Sequence, residues 1–175
     1  MTARTTPPAA PDASAPPAIG QVDHLALTVT DLAVSERFYT EVLGFVVVMR
    51  IPGGRISMQP QTGFVLALLT HDGHGGRFSE LNTGIDHLGL AASSREELEQ
   101  WERRFDAHAV PYTPIRDEHF GSHLNFRDPD GIALELTSSN DLMRAAQTAM
   151  RSGEMTAETI AAFIDEHVGA DFATQ

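Results

Sequence analysis

Two octapeptides constrain this chain more than any other feature. Residues 22–29 read VDHLALTV and residues 85–92 read IDHLGLAA, with the two histidines 63 positions apart. A segment copied with its polar centre intact implies two like units that fold into equivalent places. In the first copy His24, Ala26 and Thr28 alternate with Leu25, Leu27 and Val29. That is the period of a strand with one strongly apolar face.

The pattern of elements after each copy also repeats. After the first strand, TDLAVSERFYTEVLGF offers Thr30 or Asp31 as a cap, near-helical spacing of Leu32, Ser35, Tyr39 and Leu43, and Gly44 where a helix should stop. FVVVMR, RISMQ and GFVLALLT then read as three strands broken by turn residues. After the second strand, Ser94 and Glu97 form a capping-box pattern. Leu98, Trp101 and Phe105 share a helix face. PYTPIRDE, SHLNFRD and IALELTS read as strands, the last two joined by Asp128-Pro129-Asp130-Gly131. The order β-α-β-β-β thus occurs twice, which predicts an α+β fold of two βαβββ modules forming a cupped mixed sheet. The expected divisions are a Pro/Ala-rich disordered arm over 1–19, which holds five of the ten prolines, modules over 20–70 and 85–139, a Gly-rich linker over 71–84, and a helical extension over 140–175. Within that extension, helices are expected at roughly 140–151 and 156–168.

The alternation assigns chemistry to one face. In IALELT the apolar set Ile132, Leu134 and Leu136 must face the helix. Glu135 then lies on the concave side with Ala133 and Thr137. A carboxylate in mid-strand needs a partner. His24, His87 and Glu135 on one concave surface make a three-donor metal site with open positions, the set used by catalytic zinc and by the facial triad of Fe(II). Ala26, Gly89 and Ala133, each one alternation from a ligand, are small and leave room for a substrate. In the first module the place of Glu135 falls on Leu68, or on Ala67 after a one-residue slip. Neither binds a metal.

Composition removes competing chemistries. The net charge is −12, all twelve basic residues are arginine, and there is no cysteine. Nucleic acid is therefore not an expected partner. Disulfides, thiol nucleophiles and Schiff-base lysines are excluded. No apolar run is long enough to span a membrane, and no signal-peptide core is present, so the expected location is cytoplasmic.

Taken together, VDHLAL, FYTEVLGF, IDHLGL and FRDPDGIALEL resemble the vicinal oxygen chelate superfamily over about residues 20–138. That superfamily includes glyoxalase I, bleomycin-resistance proteins, extradiol dioxygenases and fosfomycin-resistance transferases. The resemblance implies a divalent metal on His24, His87 and Glu135 that chelates neighbouring substrate oxygens, and it favours a homodimer. Two departures stand out. A fourth ligand, as in glyoxalase I, is missing at Leu68 or Ala67. The Tyr that the dioxygenases and fosfomycin enzymes usually carry is here Asn125.

Other residues fall near the cup. His123 and Asn125 should point into it beside Glu135, with His123 suited to acid–base work and Asn125 to substrate binding. His119 and Arg116 are further substrate-binding candidates, and Ala26 and Gly89 shape the floor. Arg50 and Arg55, like Arg116, are strand or strand-end arginines that could clamp an anion, with plain surface exposure the favoured alternative for each. His71 and His74 lie in the Gly-rich loop, and His108 and His167 lie in helical segments far from the cup. The leading expectation is an enzyme with Fe(II) favoured over Zn, Ni, Mn or Co, and dioxygenase-type chemistry favoured over isomerase or lyase chemistry. The alternative is a metal-free protein that sequesters a small molecule. Whether the modules pair within one chain or between two is open.

Overall fold

Leu25, Leu27 and Val29 do turn inward, and His24, Ala26 and Thr28 are exposed. In the computed structural model, which describes residues 20–73, 75–153 and the six positions 156, 158, 159, 162, 163 and 166, this segment is β1 (His24–Thr28). It is followed by α1 (Leu32–Arg37), a π-helical turn over Phe38–Val42, β2 (Val46–Ile51), β3 (Gly54–Met58) and β4 (Val65–Leu69). The second module runs β5 (Leu88–Ala91), α2 (Arg95–Ala107), β6 (Arg116–Glu118), β7 (Gly121–Arg127) and β8 (Ala133–Ser139), then α3 (Asp141–Ser152). Two βαβββ units in an α+β fold are therefore present. The expected second C-terminal helix and the arm over 1–19 fall largely or wholly outside the described residues, as do His74 and His167.

The helices start and stop where their caps dictate. The Asp31 carboxylate accepts from the amides of Ala33 and Val34. Ser94 Oγ accepts from Glu97 N, while the Glu97 carboxylate reaches back to Ser93. The reciprocal bond of the capping box therefore falls one residue early. Asn140 caps α3, and Gly153 closes it in the left-handed region at φ 76°. One departure from expectation is the end of the first helix. It widens into a π turn, with Leu43 N bonded to Phe38 O at 3.3 Å. Phe38, Tyr39, Val42 and Leu43 are all buried there, and the wider turn lets successive residues face the core.

The strands form two four-stranded ladders, ordered β1-β4-β3-β2 and β5-β8-β7-β6. In each, the first strand runs parallel to the last and the others are antiparallel. Both β1 and β5 are edges. The two modules share one apolar core, into which Leu66, Leu68, Leu98, Phe105, Leu124 and Leu134 are fully buried. Polar ties also join them. Tyr39 donates its hydroxyl to Asp128 Oδ2 at 3.1 Å, and Arg104 donates to the carbonyls of Val42 and Glu41 at 2.6 and 2.5 Å. Burial pushes the Asp128 carboxyl above its ordinary range. Burial, together with the Asp128 charge, pushes the Tyr39 hydroxyl well above its own. The core lies on the helix side of each sheet, so the opposite faces stay open.

Candidate metal centre

The repeated Asp-His pair has a common geometry. His24 donates Nδ1–H to Asp23 Oδ2 at 2.8 Å, and His87 donates Nδ1–H to Asp86 Oδ1 at 2.7 Å. A carboxylate on Nδ1 fixes the tautomer and leaves Nε2 as the free donor, which is how metal-binding histidines are usually held. The aspartate of each copy therefore prepares its histidine.

Strand pairing supplies the second half of the site. Gly89 lies opposite Glu135 across β5 and β8, and Asn125 lies opposite Glu135 across β7 and β8. A Cβ on Gly89 would sit 3.7 Å from Glu135 Oε2, so the glycine leaves the carboxylate just enough space. Glu135 is held at both oxygens. His123 donates Nδ1–H to Oε1 at 2.9 Å, and Thr137 Oγ1 donates to Oε2 at 2.8 Å. His87 Nε2 stands 3.5 Å from that same Oε2. Two donors each about 2.1 Å from a tetrahedral ion stand roughly 3.4 Å apart. The His87–Glu135 separation fits one cation between them.

The same pairing resolves the missing ligand. His24 lies opposite Val65 and Ala26 opposite Ala67, while Leu68 is wholly buried in the core. Ala26 corresponds to Gly89 in the repeat, so Ala67 stands in the place of Glu135. At these positions the first module carries one candidate donor, His24, and no carboxylate.

Not every candidate converges. The structure brings His87, Glu135, His123 and Asn125 together on the second sheet. His24 lies on the first sheet, and its polar contact is Asp23. Among the described residues, no group of three or more His, Asp or Glu side chains is arranged to hold a metal ion. Arg50 and Arg55 are not in the cup. Their cross-strand pairing puts them on the helix side, where both bind the Glu36 carboxylate of α1. Arg116 is on the concave face, in register opposite His123. His119 sits at the β6–β7 turn. That turn is beyond Gly121, four residues from the position opposite Glu135, roughly 13 Å along the strand. His108 is exposed at the end of α2. The reading of residues by type missed Thr137 as a partner of Glu135. The signal was there, because Thr137 shares Glu135's face two positions on.

The fold that carries these residues recurs in known proteins. Residues 21–136 match the model of the Glyoxalase/Bleomycin resistance protein/Dioxygenase superfamily, and the chain belongs to that family. A solved glyoxylase/bleomycin resistance protein/dioxygenase domain from Frankia sp. EAN1pec is 35% identical, with a TM-score of 0.66. The match covers 70% of this chain and 100% of that one. An uncharacterised protein of Pseudomonas aeruginosa, PA2024, is 30% identical over 128 residues, covering 68% of this chain and 89% of its own. The Bacillus subtilis (strain 168) protein MhqA, whose name assigns it provisionally to the ring-cleaving dioxygenases, is 25% identical over 113 residues. Those residues are 57% of this chain but only 33% of MhqA, so the match spans a third of that relative. No helix among the described residues is long and apolar enough to cross a membrane.

Proposed function

We propose that this chain is a divalent-metal-dependent enzyme acting on a small oxygenated molecule chelated at a His-His-Glu centre. His87 and Glu135 come from one copy of the chain and His24 from a second. Dioxygenase-type chemistry, with Fe(II), is favoured over glyoxalase-like isomerase or lyase chemistry. The observation that carries this reading is the pair His87 Nε2 and Glu135 Oε2, spaced for one cation, with Asp86 holding the histidine. His24, backed by Asp23 in the same way, is the matching third donor. Among the described residues β1 and β5 are both edge strands, so β1 of one copy set beside β5 of another would bring the two histidines together in a continuous sheet. That pairing is the basis for reading the protein as a homodimer.

A bound divalent ion supplies Lewis-acid charge to the substrate oxygens. The chain's own residues do the rest. His123 and Thr137 hold Glu135 in one rotamer, and His123 carries a proton to or from the substrate. Asn125, opposite Glu135, offers a hydrogen bond beside the reacting oxygens. The alanine at position 67 leaves three protein donors and more of the coordination sphere free, which supports the oxygenase assignment. So does the resemblance to MhqA. Elemental analysis of protein purified without oxygen, chelator or His-tag tests the reading, with His87→Ala as control. Near-stoichiometric iron, lost in the control, is the expected result. No metal in the native chain, and none taken up on reconstitution, would refute it.

A further inference from the structure

The two concave faces differ in chemistry. Cross-strand partners share a face of a sheet. In the first sheet one row runs Val46, Met58, Val65, His24, and the next runs Met49, Ile56, Ala67, Ala26. Apart from His24 these are hydrocarbon or thioether side chains. Several are open to solvent in the single chain: Val46 is 52% exposed, Met49 57% and Met58 37%. In the second sheet one row runs Arg116, His123, Thr137, Ala91, and the next runs Asn125, Glu135, Gly89. That face is polar, with Arg116 its outermost cation.

The strand orders fix how these faces meet when β1 stands beside β5. β1 and β5 form the floor, and β2–β3 and β6–β7 form opposite walls. One wall is apolar and the other carries Arg116, His123 and Asn125. Resting on the two-copy reading above, we propose that the cup selects an amphipathic acid. Its chelating oxygens sit at His87 and Glu135, its carboxylate reaches Arg116, and its apolar body lies against Met49 and Met58 of the other copy. Neighbouring strands are about 4.8 Å apart. Arg116 on β6 is two strands from Glu135 on β8, so the carboxylate and the chelating oxygens belong to different ends of the substrate. Charge supports the assignment. The chain carries −12 overall, and an anion enters such a protein only where a local cation offsets the field. Arg116 has no ion-pair partner among the described residues, unlike Arg50, Arg55 and Arg127, which are each tied to a glutamate. Glu118 shares that face but pairs with Gly121 at the hairpin end, while Arg116 pairs with His123, so the cation lies on the His123 side of it.

The test is calorimetric binding of dihydrocaffeate, a catechol with a propanoate arm, and of its uncharged primary amide, to the full chain loaded with Zn(II). The acid is expected to bind at least about tenfold tighter than the amide. That advantage should fall to within about twofold in Arg116→Gln and shrink with added salt. Met49→Glu, at an exposed position, should weaken both probes about tenfold without changing the melting temperature. Equal binding of acid and amide, or a preference unchanged in Arg116→Gln, would overturn the proposal. Metal stoichiometry read on the same samples separates the two claims. Acid preference without bound metal would keep the Arg116 carboxylate site and end the metal reading; bound metal without acid preference would do the reverse.

Discussion

His87 presents Nε2 to Glu135 Oε2 across 3.5 Å, while Asp86 occupies the other ring nitrogen. Everything proposed for function depends on that arrangement. It places two donors at the spacing of one ion, and it uses the aspartate of the repeated Asp-His pair as the orienting group.

Asp86→Asn should therefore weaken metal binding without removing a ligand. An outer-shell partner of this kind is worth roughly ten- to a hundredfold in affinity. Competition with a chelator measures it, and an unchanged melting curve of the metal-free protein checks that the fold is intact. Unaltered affinity would show that Asp86 does not hold the imidazole.

Gly121 opens the strand that carries His123. Its φ is 147°, and a Cβ there would lie 2.0 Å from the Ser138 carbonyl oxygen. No side-chain rotation relieves a clash with backbone. Gly121→Ala should destabilise the chain by about 3 kcal/mol or more, measured by denaturant unfolding, because β7 must part from β8. A loss under about 1 kcal/mol would mean that the hairpin relaxes freely.

The Glu36 clamp gives a pH signature. Arg55 first, and then Arg50, hold this carboxyl below its ordinary value of 4.5. A depressed carboxyl contributes stability above its unfolded value and loses it as pH falls through the folded one. Glu36→Gln should thus melt below the native chain at pH 7, and the gap should close as pH drops below about 4.5. A gap independent of pH would rule out the ion pairs as its cause.

Tyr39→Phe removes the hydroxyl that donates to Asp128 and leaves a buried carboxylate with fewer partners. A cost of about 1–3 kcal/mol is expected. The melting temperature at neutral pH reads it, and a gain in stability would contradict the assignment.

Much of this was legible in the residues. The alternation of VDHLALTV and IALELT fixed which side chains face the helices, and those faces hold in β1 and β8. The Asp-His repeat marked both histidines. What the residues alone left open depends on register. Only the pairing of Ala26 with Ala67 decides that Ala67, not Leu68, takes the place of Glu135. A shift in register between Val47 and Met49 and the tight β2–β3 hairpin turn Arg50 and Arg55 toward α1, and strand period alone cannot reveal such a shift. Local spacing likewise misses the π turn over Phe38–Val42, because the extra residue is stabilised by tertiary burial. Nor could the residues tell that His24 and His87 fall on separate sheets, because the order of strands leaves no local trace in either segment.

The most direct test of a centre shared by two copies is metal content after mixing. His24→Ala and His87→Ala should each lose the metal alone. Co-refolded in equal amounts, they should regain about a quarter of the native stoichiometry, because half of the random dimers contain one intact site of two. No metal in the mixture would contradict the shared centre, and metal retained in either variant alone would contradict its ligands.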